Sequence, residues 1–124
     1  MIKILILGDI MGPSGRNAVI KKLPSIIKSK HIDFVVVNGE NAADSGCGIT
    51  KKISDELLNS GTDVITSGNH IWDQKETMNF IGKEKRLLRP INMIEGTPGE
   101  GFGIFRTRKN LEIAVVNFMG NIFM

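Results

Sequence analysis

The chain has no tyrosine, one tryptophan, one cysteine and two histidines among 124 residues, and each shortage removes a class of protein. A single cysteine, Cys47, excludes an intrachain disulfide framework and points to a reducing compartment. Nothing approaches the ~20 consecutive apolar residues of a membrane span. The apolar run at 2–7 is too short for a signal peptide and leads into Gly8-Asp9 rather than a small-residue cleavage site. A cytoplasmic protein without a membrane partner is therefore expected. Neither charge sign dominates: 16 Lys and Arg against 13 Asp and Glu leave +3, with no long basic block to mark a nucleic-acid surface. Aromatics supply only 6% of residues, so the core must be aliphatic; with 41% apolar residues, one domain can bury one.

What the chain does have is three apolar runs that each end in polar residues. Leu5-Ile6-Leu7 runs into Gly8-Asp9, residues 32–37 run into Asn38-Gly39-Glu40-Asn41, and Val64-Ile65-Thr66 runs into Ser67-Gly68-Asn69-His70. The polar groups recur at about one βαβ unit, roughly 30 residues. Parallel strands would bring Asp9, Glu40 and Asn69 out on one edge of one sheet, beyond the carboxyl ends where open α/β sheets bind ligands.

Between the runs, 8–15 reads as a Gly-rich loop with Pro13 and Ser14 as turn and cap residues. Ala18, Val19, Leu23, Ile26 and Ile27 form a helical stripe that Pro24 should kink or restart. Thr50 caps a helix carrying Ile53, Leu57 and Leu58, closed by Asn59-Ser60-Gly61. Residues 62–66 give a third strand, a short helix is expected around 75–81, and Leu87-Leu88 suggests a short strand. After the glycine-rich 96–103, strands at 102–107 and 111–117 read as a hairpin at a sheet edge. The chain then stops on Ile122-Phe123-Met124 without a polar tail, which suggests a fold interrupted partway.

Two phosphate-binding signatures fail in the first loop. Ile10 stands where a dinucleotide fingerprint needs its first glycine, and Pro13 follows Gly12 where a P-loop needs Lys. Alone, Asp9 is a cap or turn residue, Asn41 and Asn69 are turn residues, and His70 is a packed histidine. Glu40 is a poorer local turn former, and its role is harder to explain that way. Their joint placement changes the reading. Two carboxylates on one edge repel unless a cation lies between them. Carboxylate and amide oxygens suit Mg, Mn or Fe(II), and added imidazoles shift the choice toward Mn, Fe or Zn. A glutamate can bridge two cations, and two metals roughly 3.5–4 Å apart clamp an in-line phosphoryl displacement. His70 could then protonate the leaving oxygen. Trp72 reads as a packed wall residue and Cys47 as a small neutral residue.

Gly8-Asp9-Ile10-Met11-Gly12 with Gly15-Arg16, Asn38-Gly39-Glu40-Asn41-Ala42-Ala43, Gly48-Ile49-Thr50 and Ser67-Gly68-Asn69-His70-Ile71-Trp72 together resemble the YmdB-like branch of the calcineurin-like metallophosphoesterases. The resemblance implies an α/β fold: the N-terminal half of a four-layer αββα sandwich, with a mainly parallel sheet and a C-terminal hairpin. It implies that Asp9, Glu40 and Asn41 hold one metal, that Glu40 and Asn69 hold a second, and that His70 is the proton donor. Two divalent ions, iron or manganese, and hydrolysis of phosphodiesters such as 2′,3′-cyclic nucleotides by a metal-activated hydroxide are expected on the same ground. The partner is then a small phosphodiester; nucleic acid enters only as the source of an RNA-derived substrate, and a homo-oligomer is left open. The wider superfamily opens with Asp-x-His, whereas this chain has Asp9-Ile10-Met11, as its branch does. The branch also draws three further histidine ligands from its second half, whereas this chain has only His31 and His70. Residues 1–124 are therefore expected to be a partial metallophosphoesterase domain. The alternatives are an inactive truncated fragment of such an enzyme, or a non-catalytic module that binds a nucleotide or phosphate.

Overall fold

A computed structural model describes residues 1–121; the apolar end at Ile122, Phe123 and Met124 lies outside the described residues. Four strands, β1 (Ile4–Leu7), β2 (Phe34–Asn38), β3 (Val64–Thr66) and β4 (Leu87–Leu88), form one sheet in that order, all parallel. Helices α1 (Gly12–Lys30), α2 (Lys51–Asn59) and the single turn α3 (Thr77–Phe80) lie between them, and a 3-10 turn spans Asn69–Trp72. A hairpin of β5 (Phe102–Arg106) and β6 (Glu112–Val116) follows.

Strand alternation sorts the apolar side chains into two layers of contact. Val35, Val37, Ile65 and Leu87 face one way and pack with Leu23 of α1 and Ile53, Leu57 and Leu58 of α2. Phe34, Val64 and Leu88 face the other way and pack with Phe105, Ile113 and Val115 of the hairpin. The Phe34 and Phe105 rings sit 6.3 Å apart at 42°. The result is mixed α/β, with helices on one side of a parallel sheet and a hairpin on the other. The hairpin does not extend the parallel sheet edge, as its sequence suggested; it forms a second sheet that packs on one face of the first. Its inward residues are apolar and need a face to cover rather than an edge to join.

Local expectations are corrected at α1. The helix starts at Gly12 rather than after Gly15, with Pro13 in its first turn, where a missing N–H costs nothing. Ser14 is not the cap; Met11 stands there without a side-chain bond. Gly12 enters at φ +55°, and its N–H donates to Asn41 O at 2.8 Å, so a tertiary contact replaces the side-chain cap. Nor does Pro24 restart the helix, which is continuous to Lys30. Leu23 is buried, Ile20 and Ile27 pack against the same core, and this anchoring on both sides outweighs one lost backbone bond. Thr50 caps α2 as expected, its Oγ1 accepting from Ile53 N–H at 3.2 Å.

At the amino ends of β2 and β3 two acids do structural work. Asp33 accepts from Lys3 N–H at 2.8 Å and from Lys109 Nζ at 3.0 Å. Asp63 accepts from Val35 N–H at 2.8 Å and from Arg108 Nη1 at 2.6 Å. Both thereby tie the hairpin turn to the sheet. His31 caps α1 in the left-handed conformation near this same end, away from the polar strand ends. No helix among the described residues is long and apolar enough to cross a membrane.

The Lys3 backbone N–H, followed by the Lys109 ammonium, holds the Asp33 carboxyl below its ordinary range. Its unfolded-state pKa is the higher one, so the unfolded chain takes up the proton first. The stabilisation is fully present above about pH 4 and is lost as pH falls through the depressed folded value. Urea unfolding of Asp33→Asn against the parent should show a lower midpoint at pH 6 and a narrowing difference below pH 4. A difference that stays constant into acid would contradict this role.

Candidate metal centre

Because β1, β2 and β3 are parallel and in register, Leu7 opposite Val37 and Asn38 opposite Thr66, their three polar extensions leave the sheet on one edge. Backbone bonds then lace the extensions together. Ile10 N–H donates to Asn38 O at 3.1 Å, Gly12 N–H to Asn41 O at 2.8 Å, and Gly39 N–H to Thr66 O at 2.9 Å. Asn38 also turns its own side chain back, its Oδ1 accepting from Glu40 N–H at 3.0 Å. The extensions are thus a fixed scaffold rather than three separate loops.

On that scaffold the acid of the first strand end meets the amide of the second. Asn41 Nδ2 donates to both Asp9 carboxylate oxygens, at 3.1 and 2.9 Å. Glu40 turns toward the third strand end: a Cβ built on Gly68 would run into its carboxylate, so a side chain there would push that carboxylate aside. Asn69 follows at once and opens the 3-10 turn. Asp9, Asn41, Glu40 and the Gly68-Asn69-His70 segment therefore follow one another across the edge, and His70 lies on the turn that closes it.

Two acceptors here are buried without a partner, Glu40 Oε2 and Asn41 Oδ1. A buried oxygen lacking a donor costs about 1–3 kcal/mol, more when charged. Two such oxygens on neighbouring residues, with the Asp9 carboxylate bonded to Asn41 on the same edge, are the oxygen donors that a hard or borderline cation takes. The donor set fits a metal.

Three other residues complete the picture, and none was assigned a role from sequence. Asp73 Oδ2 sits 2.7 Å from His70 Nδ1 as its hydrogen-bond partner, fixing the ring and leaving Nε2 as its other functional atom. The i,i+3 spacing on a tight turn was the available signal, but it is visible only once 69–72 is known to be a 3-10 turn. Arg16 clamps the segment after Asn41, its Nη1 donating to Ala42 O at 2.7 Å and its Nη2 to Asp44 at 2.9 Å. Asn117 is buried and donates to Ser67 O at 2.8 Å and Leu88 O at 3.0 Å, so the hairpin braces the third strand end from below. Trp72 packs against the core as a wall residue. A cavity of about 400 Å³ lined by Arg16, Asp44, Ser45, Thr50, Lys52 and Gln74 includes none of Asp9, Glu40, Asn69 and His70, and the chemistry is not assigned to it.

The chain is also similar to known proteins over nearly its whole length. The chain is 42% identical over 123 residues to the 2′,3′-cyclic-nucleotide 2′-phosphodiesterase of Bacillus subtilis, covering 99% of this chain and 46% of that protein. Among solved structures it superposes on a hypothetical protein from Thermus thermophilus with TM-score 0.88 and 38% identity, over 98% of this chain and 46% of the other. It also superposes on a protein from Mycoplasma pneumoniae described as a novel phosphatase, with TM-score 0.85 and 33% identity, over 97% and 43%. The chain thus spans slightly less than half the length of these relatives. A model of the family described as YmdB-like protein matches residues 5–124, and the chain belongs to that family.

Proposed function

We propose that this chain carries the amino-terminal ligand set and the proton donor of a metal-dependent phosphodiesterase acting on small phosphodiesters such as 2′,3′-cyclic nucleotides. The observation that carries the metal part is the pair of buried, unpartnered oxygens, Glu40 Oε2 and Asn41 Oδ1, on the edge that also holds Asp9. The substrate class rests on the name of the Bacillus subtilis relative.

In this reading Asp9, Glu40 and Asn41 hold one divalent cation, and Glu40 and Asn69 hold a second, iron or manganese. Bound there, the pair supplies positive charge to the phosphoryl oxygens and an activated water for in-line attack. The chain's own part is geometric and acid–base. The laced strand ends fix the ligands before the cation arrives, so little ordering cost remains at binding. Gly68 leaves the room in which the Glu40 carboxylate sits against the third strand end. Asp73 holds His70 through Nδ1, and Nε2 is left to give its proton to the departing ribose oxygen.

A specific observation also supports the second reading, that these residues by themselves are inactive. Ile4 and Ile6 on the edge strand β1, and Phe102, Ile104 and Val116 on the hairpin, are large apolar side chains open to solvent. A face of that kind normally lies under other protein. Assayed alone, the chain should hold metal weakly and show no turnover; in a longer protein carrying this sequence, the face is covered and the ligand set completed.

Manganese binding to the chain, read by electron paramagnetic resonance, tests the ligand set. Glu40→Gln should weaken it by more than about tenfold, since even second-shell changes cost about 10–100-fold; unchanged affinity would remove Glu40 from the site. Gly68→Ala should displace the Glu40 carboxylate and lower manganese affinity. An unaffected variant would mean that Glu40 does not need that space. His70→Ala should leave manganese binding intact and, in the longer protein, lower kcat on 2′,3′-cyclic AMP by about 10²–10⁴. An unchanged kcat would take His70 out of the chemistry.

A further inference from the structure

Cys47 is the one thiol in the chain, and nothing in the phosphodiesterase reading uses it. Its place is nonetheless closely defined. Gly48 has φ +81°, and a Cβ there would lie 2.8 Å from Gln74 Cγ and 3.3 Å from His70 O, so the glycine lets the Cys47 loop press onto the 3-10 turn. Gln74 Nε2 then donates to Cys47 O at 2.9 Å and to Ser45 Oγ at 3.2 Å, pinning the loop there. In this position Cys47 Sγ, a ring nitrogen of His70 and a carboxylate oxygen of Asp73 all lie within 4.8 Å of one another.

We propose that Cys47, His70 and Asp73 form a separate binding site for a soft or borderline divalent cation such as Zn²⁺. The chemistry of the donors differs in kind from that of the strand-end site. One sulfur, one imidazole nitrogen and one carboxylate oxygen suit zinc, whereas the Asp9–Glu40–Asn41–Asn69 set offers only oxygen and suits harder ions. The size is right as well. Zinc–ligand bonds of about 2.0–2.3 Å set the donors of a tetrahedral site roughly 3.3–3.8 Å apart. The donors already lie inside 4.8 Å of one another, near that spacing, and the 2.7 Å contact between His70 Nδ1 and Asp73 Oδ2 would give way to the metal. Cys47 and His70 are half-buried and Asp73 is exposed, which leaves an entry path and a fourth position for water. Occupancy engages the imidazole that the function proposed above uses as its proton donor. On that reading of His70, a soft cation here inhibits the longer protein without displacing its catalytic metals.

Cobalt(II) titrated into the chain under reducing conditions tests the site, because a thiolate ligand gives a sulfur-to-metal charge-transfer band that oxygen and nitrogen ligands cannot give. One equivalent should produce the band in a monomeric chain; Cys47→Ser should abolish it, His70→Ala should weaken cobalt binding at least tenfold, and Zn²⁺ should displace the cobalt. No band, a band unaffected by His70→Ala, or a stoichiometry of two chains per metal would each overturn the site. If the band behaves as expected but Zn²⁺ inhibits the longer protein and its Cys47→Ser variant equally, the cation site stands and only its link to the acid role of His70 falls.

Discussion

The parallel register of β1, β2 and β3 is the constraint on which everything else depends. It alone converts three polar segments, far apart in the chain, into one edge where Asp9 meets Asn41 and Glu40 meets Gly68. The register is itself secured at both ends. At the amino ends, Asp33 and Asp63 each accept from the backbone of a strand and from a basic residue of the hairpin turn. At the carboxyl ends, backbone bonds run from Ile10 to Asn38, from Gly12 to Asn41 and from Gly39 to Thr66. A one-residue slip in any pair would turn an apolar side chain out of its layer and break these bonds together.

Two buried oxygens without donors are unfavourable in the absence of a cation, and the surrounding structure holds them in place regardless. Arg16 secures the segment beyond Asn41 by two bonds. Ser67 Oγ donates to Leu88 O at 2.7 Å, and Asn117 Nδ2 donates to both Ser67 O and Leu88 O, so the hairpin layer supports the segment that delivers Gly68, Asn69 and His70. This arrangement ties function to packing: Phe34, Val64 and Leu88 are fully buried beneath the hairpin, and their burial keeps Asn117 in reach. The local cost of Glu40 Oε2 and Asn41 Oδ1 is offset by ordinary core energetics elsewhere.

Much of this was legible in the residues. The unbroken apolar run Phe34-Val35-Val36-Val37, the Thr50 cap and the hairpin turn at 108–110 each follow from a local rule, and Asn110 adopts the φ of +60° that such a turn requires. Pro24 and Ser14 misled for a common reason: local propensity favours a break and a hydroxyl cap, but the cost of one missing bond is small beside a helix face buried through Leu23. Asp73 and Arg16 were not assigned because their partners are set by a turn type and a long-range approach, neither of which spacing encodes.

By itself, the sequence determined the aliphatic parallel strands, their polar termini and the set of groups able to bind a cation, because side-chain chemistry and the two-residue period are local properties. Only the tertiary structure decided which of those groups meet. It put Asn41 on Asp9, left Glu40 Oε2 and Asn41 Oδ1 without donors, turned the hairpin into a second layer, and brought Cys47 to His70 and Asp73. Those are matters of close approach between distant segments, fixed by how whole layers pack and by where a glycine lets two backbones touch.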